Sequence, residues 1–287
     1  LSSTFIWGGT FAIVKGALND ISPLFFIGIR FLLASVLFVP FIFHRIKNIK
    51  PLEIQRGIIL GLLLFFGFAA QTIGMQYTTA SKAAFLTGTM VIFTPILQFM
   101  MGRKAPKFGN ILGVLVVTVG LYLLTSPKGS QFNFGDGLNL MCAIIFAIYT
   151  VYLDTATQEV DVFTINFVQI VTNGILSILA ASLFESVYFK ISINLVASIL
   201  YLTLFATMLT LYLLVKWQRE TTPTRAAVIY SLEPVIAAVI AFFLLNEILP
   251  PVAILGSGVI ILGLLISEFS DKIPFLNSSV TFRDKGY

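Results

Sequence analysis

Apolar stretches follow one another along this chain of 287 residues and leave little room for anything else. Each stretch is close to the twenty or so residues that a helix needs to cross a bilayer. With 57% hydrophobic and only 11% charged residues, the chain has more apolar surface than one soluble core could bury. We predict an all-α polytopic membrane protein with ten transmembrane helices, at residues 2–18, 23–43, 54–76, 80–101, 108–125, 137–153, 162–184, 195–215, 223–245 and 252–269.

The connections between these stretches are too short for a soluble domain, so the activity is expected among the helices. The chain has one cysteine, Cys142, one histidine, His44, and no cluster of acids at ligand spacing, so no metal site or nucleophilic centre is evident. An integral membrane enzyme is therefore disfavoured, and no cofactor or metal is expected. A channel is also disfavoured, since no segment resembles a selectivity filter.

The lysines and arginines predict the orientation. With a cytoplasmic N-terminus, most of them fall in cytoplasmic loops and in the tail, and only Lys15, Lys82, Lys128 and Lys190 lie outside. The pI near 9.3 then follows from topology and does not indicate nucleic-acid binding. The loop 154–161 is acidic but is still placed inside, because acids count little in this rule. We expect a multi-pass protein of the plasma membrane with both termini in the cytoplasm.

An internal repeat divides the chain. "TTASKAAFLTG" at 78–88 matches "TTPTRAAVIYS" at 221–231, and the same offset superposes two glycines of the fifth span on two of the tenth. The repeat predicts a five-helix unit at 1–130, a second at 131–271 and a short polar cytoplasmic tail at 272–287. Because five is odd, the second unit enters the membrane from the opposite side. Inverted repeats of this kind are typical of secondary transporters, whose substrate site lies between the repeats.

Several segments resemble one family. "LEPVIAAVIAFFLLNE" at 232–247, "QTIGMQYTTASKAAFLTG" at 71–88, "WGGTFAIVKGAL" in the first span and "IRFLLASVLFVP" in the second are similar to stretches of the EamA family of the drug/metabolite transporter superfamily. The resemblance implies ten helices in two inverted halves and export of small organic solutes such as amino acids, amines and toxic compounds. Two departures are Phe146, where a tryptophan is common, and the loop 154–161, which lacks the usual basic residue.

Two prolines, Pro95 and Pro234, are predicted to break the fourth and ninth helices. A proline has no N–H for the carbonyl four residues earlier and displaces that carbonyl. By the repeat, Val91 is the counterpart of Pro234, so we expect the two breaks one turn apart in equivalent helices. Such helices are candidates for moving gates, although prolines are in any case frequent in membrane helices.

Glu233 is the acid that the apolar pattern explains least. An ionised carboxylate facing lipid costs roughly 2.5 to 3.5 kcal/mol on insertion scales, so Glu233 is expected to face a cavity or to be protonated. Three roles remain open: a counter-charge for an amino-bearing substrate, a proton carrier, and a structural acceptor near the helix break.

The other charged residues in or near the spans receive structural or ion-pair roles. Arg30 is the second intramembrane charge, and a hydrogen-bonding role is favoured over substrate contact. Lys82 and Arg225 are equivalent under the repeat and fall on opposite faces of the bilayer, so they cannot clamp one small anion together. Glu247 ends the ninth span at the outer face as an interfacial cap or gate contact.

The substrate path is assigned to Glu233, Trp7, Tyr230, Gln71, Tyr149 and Tyr152. Aromatic rings in a cavity wall can stack on amines, although packing and interfacial roles are common for them. The sequence thus predicts a secondary transporter that exports a small organic metabolite across the cytoplasmic membrane by alternating access, with a proton as a candidate coupling ion. The alternative is an organic-phosphate or nucleotide-sugar exchanger, which should need several converging cations.

Overall fold

A computed structural model describes residues 2–102, 105–125, 132–158, 160–245, 250–270, 272–273 and 276. These residues form helices and one isolated antiparallel bridge, between Ile21 and Phe189. A π-helical segment occupies Leu202–Leu209, and 3-10 turns occupy Phe43–Asn48 and Gln218–Glu220. The α-helices are α1 Ser2–Gly8, α2 Thr10–Ala17, α3 Pro23–Ile42, α4 Pro51–Tyr77, α5 Ala80–Gly88, α6 Met90–Met100, α7 Phe108–Thr125, α8 Phe134–Ala156, α9 Val162–Phe184, α10 Ile193–Tyr201, α11 Thr210–Trp217, α12 Pro223–Tyr230, α13 Glu233–Leu245 and α14 Pro251–Phe269.

Eight helical segments of the described chain are long and apolar enough to cross a membrane, and Phe108–Leu124 is a shorter apolar helix. The first predicted span contains two short helices, α1 and α2, with Gly9 between them. The all-helical class is therefore confirmed, whereas the count of ten spans stays a prediction.

The helix ends follow from local chemistry. Proline occupies the first turn of α3, α4, α12 and α14, where its missing N–H has no partner to lose. The side chains of Thr79 and Thr222 accept from the backbone N–H groups of Lys82 and Arg225, which caps α5 and α12 in the same way. The equivalent segments found by the repeat thus begin their helices identically.

Glycines bring α7 and α14 into backbone contact. A Cβ on Gly113 would lie 2.8 Å from the Gly263 carbonyl oxygen, and one on Gly120 would lie 2.9 Å from that of Gly256. The residue numbers rise along one helix as they fall along the other, so the two helices run antiparallel. The repeat relates Gly113 to Gly256 and Gly120 to Gly263. Gly113 therefore contacts the counterpart of Gly120, and Gly120 contacts the counterpart of Gly113, which is the contact pattern that a twofold axis produces.

Small residues also bring α9 against α3 and α4. A Cβ on Gly28 would meet Ile178 Cδ1 at 2.5 Å, a Cβ on Gly174 would meet Leu32 Cδ2 at 2.9 Å, and one on Gly61 would meet Thr172 Cβ at 2.5 Å. Close backbone approach of this kind is typical of helix packing in membranes. The large core side chains, including Phe31, lie between these helices. Many apolar side chains point outward, as a lipid-facing surface requires.

Loops tie the end of α9 to the start of α3. The Glu185 carboxylate accepts from the backbone N–H groups of Leu24 at 2.8 Å and Phe25 at 3.2 Å. These are donors that the first turn of α3 leaves free, and a negative charge is favourable there. The Tyr188 hydroxyl donates to the Leu18 carbonyl at 2.6 Å. The segment after α9 is therefore fixed to the loop that precedes α3.

Candidate functional site

A central cavity lies where helices from both ends of the chain meet. It brings together most of the residues predicted for a substrate path: Trp7, Gln71, Tyr149, Tyr230 and Glu233. The space that the centre of a water molecule can occupy is about 60 Å³, enough for a few waters at roughly 10–15 Å³ each. Its lining is completed by Thr10, Phe11, Val14, Arg30, Leu64, Phe68, Thr72, Thr87, Met90, Phe146, Thr150 and Leu214.

Two interrupted helices meet beside this cavity. The fourth predicted span is interrupted at Thr89, between α5 and α6, and the ninth at residues 231–232, between α12 and α13. A Cβ on Gly88 would lie 4.0 Å from the Pro234 Cγ, so the interruptions face each other. The repeat offset makes Thr89 the counterpart of Leu232. The two interruptions therefore lie at equivalent positions.

Pro95 does not break its helix. It lies inside α6, which continues past it, so the expectation of a break there is corrected. The missing backbone N–H of a proline is tolerated in a membrane helix when neighbouring helices and side chains provide other partners for the freed carbonyl. Gly88 has a poor helix propensity, and the Thr89 hydroxyl donates to the Leu86 carbonyl at 2.5 Å, which competes with the helical ladder. Pro234, in contrast, lies in the first turn of α13, directly after the interruption.

Glu233 is the first residue of α13 and contributes the only acidic side chain among the cavity-lining residues. It makes no ion pair with any residue that the structure describes. The position at a helix N-terminus places the positive end of the helix dipole beside the carboxylate. Gly8 allows the first turn of α13 to approach α1 closely, since a Cβ on Gly8 would be 3.0 Å from the Glu233 carbonyl oxygen.

Arg30 contributes the only basic side chain among the cavity-lining residues and is 4% exposed. Its Nε donates to the Thr207 hydroxyl at 2.5 Å, and its guanidinium carbon lies 5.2 Å and 4.9 Å from the ring centroids of Phe31 and Phe68. Arg30 thus makes a hydrogen bond within the protein and also lines the cavity that Glu233 lines.

Trp7 bridges the first and eighth predicted spans. Its indole N–H donates to the Ala206 carbonyl at 2.9 Å, within the π-helical segment Leu202–Leu209. A π turn alters the pairing of backbone carbonyls and is frequent at functional sites. The Trp7 ring centroid lies 6.1 Å from that of Tyr230. Tyr230 also lines a second cavity, of about 200 Å³, with Trp217, Gln218 and Leu214, so Tyr230 and Leu214 line both cavities.

Buried polar side chains lead away from the central cavity along α9. The Tyr149 hydroxyl donates to Gln169 Oε1 at 3.1 Å, and Gln169 Nε2 donates to Asn166 Oδ1 at 2.8 Å. Across the cavity, Gln71 Nε2 donates to the Thr87 hydroxyl at 3.4 Å. These bonds hold Tyr149 and Gln71 in place in the cavity wall.

Other predicted residues lie elsewhere. Tyr152 packs against the core cluster that contains Phe31 and is not among the cavity-lining residues. Lys82 forms an ion pair of 2.5 Å with Asp136, and Arg225 Nε lies 3.9 Å from a Glu268 carboxylate oxygen. Glu247 lies outside the described residues.

The sequence prediction missed the apolar and hydroxyl part of the cavity wall. Thr87 and Thr150 could have been predicted from the sequence, because a hydroxyl in an apolar span needs a hydrogen-bond partner. Met90 could have been found through the repeat, since it is the counterpart of Glu233 and lines the same cavity. Phe68 and Leu64 carry no signal that separates a cavity wall from a core. In the described part of the chain, no three His, Cys, Asp or Glu residues are grouped to hold a metal.

Comparison with known proteins decides the family. The model of the EamA-like transporter family matches residues 1–126 and again residues 133–269. This chain belongs to the EamA-like transporter family. It is an integral membrane transport protein of that family, with several membrane-spanning apolar helices.

Curated relatives and a solved structure agree with this membership. An uncharacterized transporter of Archaeoglobus fulgidus is 34% identical over 261 residues, which cover 91% of this chain and 82% of the relative. An S-adenosylmethionine uptake transporter of Rickettsia bellii is 26% identical over 244 residues, covering 85% of this chain and 82% of the relative. One crystal structure has a TM-score of 0.76 at 15% identity over 93% of each chain, which shows a shared fold.

Proposed function

We propose that this transporter exports a small organic metabolite with a cationic amino group, and that the central cavity is its substrate site. The observation that carries the proposal is Glu233, a carboxylate without an ion-pair partner in the described chain, beside Trp7 and Tyr230 in that cavity. An amine can pair with the carboxylate and stack on the rings. The site lies where two interrupted helices meet.

The proposed architecture is ten transmembrane helices in two inverted five-helix units, residues 1–130 and 131–271, with the tail 272–287. The antiparallel glycine contacts of α7 with α14 support it, because each glycine meets the counterpart of the other. The two separate matches to one family model also support it. The basic residues favour the plasma membrane with both termini in the cytoplasm.

The proposed cycle is alternating access around the fixed cavity. The interruptions at Thr89 and residues 231–232 serve as hinges, because each of them divides one predicted span into two shorter helices. Tyr230, which lines both cavities and packs against Trp7, closes the central cavity toward the second cavity beside Trp217. The ion pair of Lys82 with Asp136 holds the opposite, predicted outer side closed.

Proton coupling is the proposed source of energy. A carboxylate that faces a small cavity can carry either a proton or the amino group of a substrate, and the two compete for the same oxygens. Protonation from one side and deprotonation on the other would then drive the exchange. Glu233 is the one acid in the cavity wall that can act in this way.

An organic-phosphate or nucleotide-sugar exchanger is the weaker candidate. Phosphate binding favours several converging cations, whereas Arg30 is the one cation among the cavity-lining residues, and Lys82 and Arg225 are placed in ion-pair contacts elsewhere. The relative named for S-adenosylmethionine uptake concerns a substrate with an amino group, but it also concerns import. Direction is therefore part of the test.

A proteoliposome flux panel tests the proposal. Amino acids, amines and sugar phosphates are each measured with a pH gradient of either sign, with Glu233→Gln as the matched variant. We expect saturable flux of amino-bearing solutes that follows the pH gradient in the wild type. Flux restricted to sugar phosphates, or product formation without net movement, would contradict the proposed function.

A further inference from the structure

Arg30 carries hydrogen-bond donors that the protein itself does not use. A guanidinium has five N–H donors, and the one bond that it makes with the described residues joins Nε to Thr207. The phenyl rings of Phe31 and Phe68, whose centroids lie 5.2 Å and 4.9 Å from the guanidinium carbon, are apolar neighbours and offer no carboxylate or carbonyl acceptor to the terminal nitrogens. The residue is 4% exposed and lines the central cavity.

A buried cation without a matching anion is costly, and buried charges are normally paired. Glu233 lines the same cavity but is not within ion-pair distance of Arg30. The planar fork of a guanidinium matches a carboxylate through two parallel hydrogen bonds. The cavity wall therefore presents one negative and one positive group, which lie farther apart than an ion pair.

The π-helical segment sets the position of this fork. Thr207 belongs to that segment and accepts from Nε, and the Thr203 hydroxyl donates to the Arg30 carbonyl at 3.4 Å. Holding Nε restricts rotation about the last side-chain bonds and fixes the direction of the two terminal nitrogens. Ala206, next in sequence, takes the Trp7 indole N–H. One irregular turn thus orients both an aromatic and a cationic wall residue.

We propose that Arg30, oriented by Thr207, binds an anionic group of the substrate, a carboxylate, while Glu233 binds its amino group. This inference rests on the proposed function and narrows its substrate class to zwitterions. Arg30 is the specificity-determining residue, and Thr207 is a positioning residue that acts through it. A single guanidinium suits a carboxylate better than a phosphate dianion, for which several cations are expected.

Matched pairs of solutes that differ by one carboxylate test the inference. Phenylalanine is compared with phenethylamine, and leucine with isopentylamine, as flux into proteoliposomes under one fixed pH gradient. We expect the wild type to favour the carboxylate-bearing member by about tenfold or more, the scale of one charge-assisted hydrogen bond. Arg30→Gln should bring the ratio close to one, and Arg30→Lys should restore part of it.

Thr207 gives an independent arm. Thr207→Val keeps the shape but removes the acceptor, so the ratio should fall, whereas Thr207→Ser keeps the hydroxyl and should retain it. A purely structural role would lower the flux of both pair members together and leave the ratio unchanged. Thermal unfolding in detergent identifies variants that fail to fold. If Arg30→Gln fails to fold, the comparison of Thr207→Val with Thr207→Ser tests the inference instead.

The outcomes separate this inference from the proposed function. Transport of the amines with a ratio near one in the wild type overturns the anionic subsite but leaves the amine transporter intact. An unchanged flux ratio in a folded Arg30→Gln variant also overturns the anionic subsite. If Arg30→Gln does not fold, an unchanged flux ratio in Thr207→Val overturns it. A wild type that moves no member of either pair, in either direction, overturns both.

Discussion

At the scale of single residues, the position of Glu233 in the chain explains why its carboxylate lines the cavity. Glu233 is the first residue of α13, immediately after an interruption, and it lines the central cavity. The adjacent Pro234 contributes no N–H there. The acid and the proline are thus related. The proline helps to end the preceding helix, and the acid lies at the interruption that results.

Neutralising this acid should uncouple transport from the proton gradient. Glu233→Gln keeps the size of the side chain but can neither release a proton nor pair with a cation. We expect flux of amino-bearing solutes to lose its dependence on the pH gradient and to fall by about tenfold or more, since a charge-assisted bond is lost. Flux in proteoliposomes with and without a gradient measures this. Unchanged coupling in a folded Glu233→Gln variant would refute the role.

The two tryptophans of the chain offer a direct optical test of the cavity. Trp7 lines the central cavity, whereas Trp217 is 54% exposed. In Trp217→Phe, the remaining Trp7 should change its fluorescence as substrate is added, because substrate replaces water beside the indole. In Trp7→Phe, the signal of Trp217 should stay nearly constant. A response of Trp217 alone would place the substrate outside the central cavity.

At the scale of helices, the sequence was sufficient where length and hydropathy decide the structure. Eight predicted stretches coincide with segments long enough to cross a bilayer, and a ninth with a shorter apolar helix. The interruption before Pro234 was predictable from one residue. The π-helical turn at Leu202–Leu209 was not predictable, because nothing in the sequence pattern marks it, although Thr207 within it contacts Arg30. The interruption at Thr89 was not predicted either, because it involves a local bond of the Thr89 hydroxyl with the Leu86 carbonyl rather than a proline.

The glycine contacts between α7 and α14 yield a prediction with a built-in control. A Cβ on Gly256 would lie 2.3 Å from the Leu124 backbone nitrogen, whereas one on Gly258 would meet nothing within 4 Å. We expect Gly256→Ala to lower stability by about 1–3 kcal/mol through overpacking. Gly258→Ala, two residues away, should be neutral or stabilising by up to about 1 kcal/mol. Thermal unfolding in detergent compares them, and equal effects would contradict the packing.

At the scale of the whole molecule, the ion pair of Lys82 with Asp136 joins the two proposed units. Asp136 is fully buried and also accepts from the Thr78 hydroxyl at 2.8 Å. A double-mutant cycle with Lys82→Gln and Asp136→Asn should give a coupling of about 1–3 kcal/mol. The same cycle on Arg225 and Glu268, which are 3.9 Å apart with Glu268 half exposed, should give about 0.2–1 kcal/mol. Equal couplings would argue against a special role for the first pair.

The inverted duplication can be tested by labelling two positions that the repeat makes equivalent. The repeat offset relates Tyr77 to Glu220, and both are exposed. In a Cys142→Ala background, which removes the one native thiol, each is replaced by cysteine and treated with a membrane-impermeant maleimide. Tyr77→Cys should react in intact cells, and Glu220→Cys only after the membrane is opened, because an odd number of spans separates them.

The possible labelling patterns separate orientation from inversion. Exchange of the two results would reverse the assignment of the termini but would preserve the inversion, since the sites would still lie on opposite faces. Labelling of both sites from one face would require an even number of spans between them and would refute the duplication as proposed. Asp136 and Lys82 would then no longer join two inverted units, although the cavity around Glu233 would remain as the structure describes it.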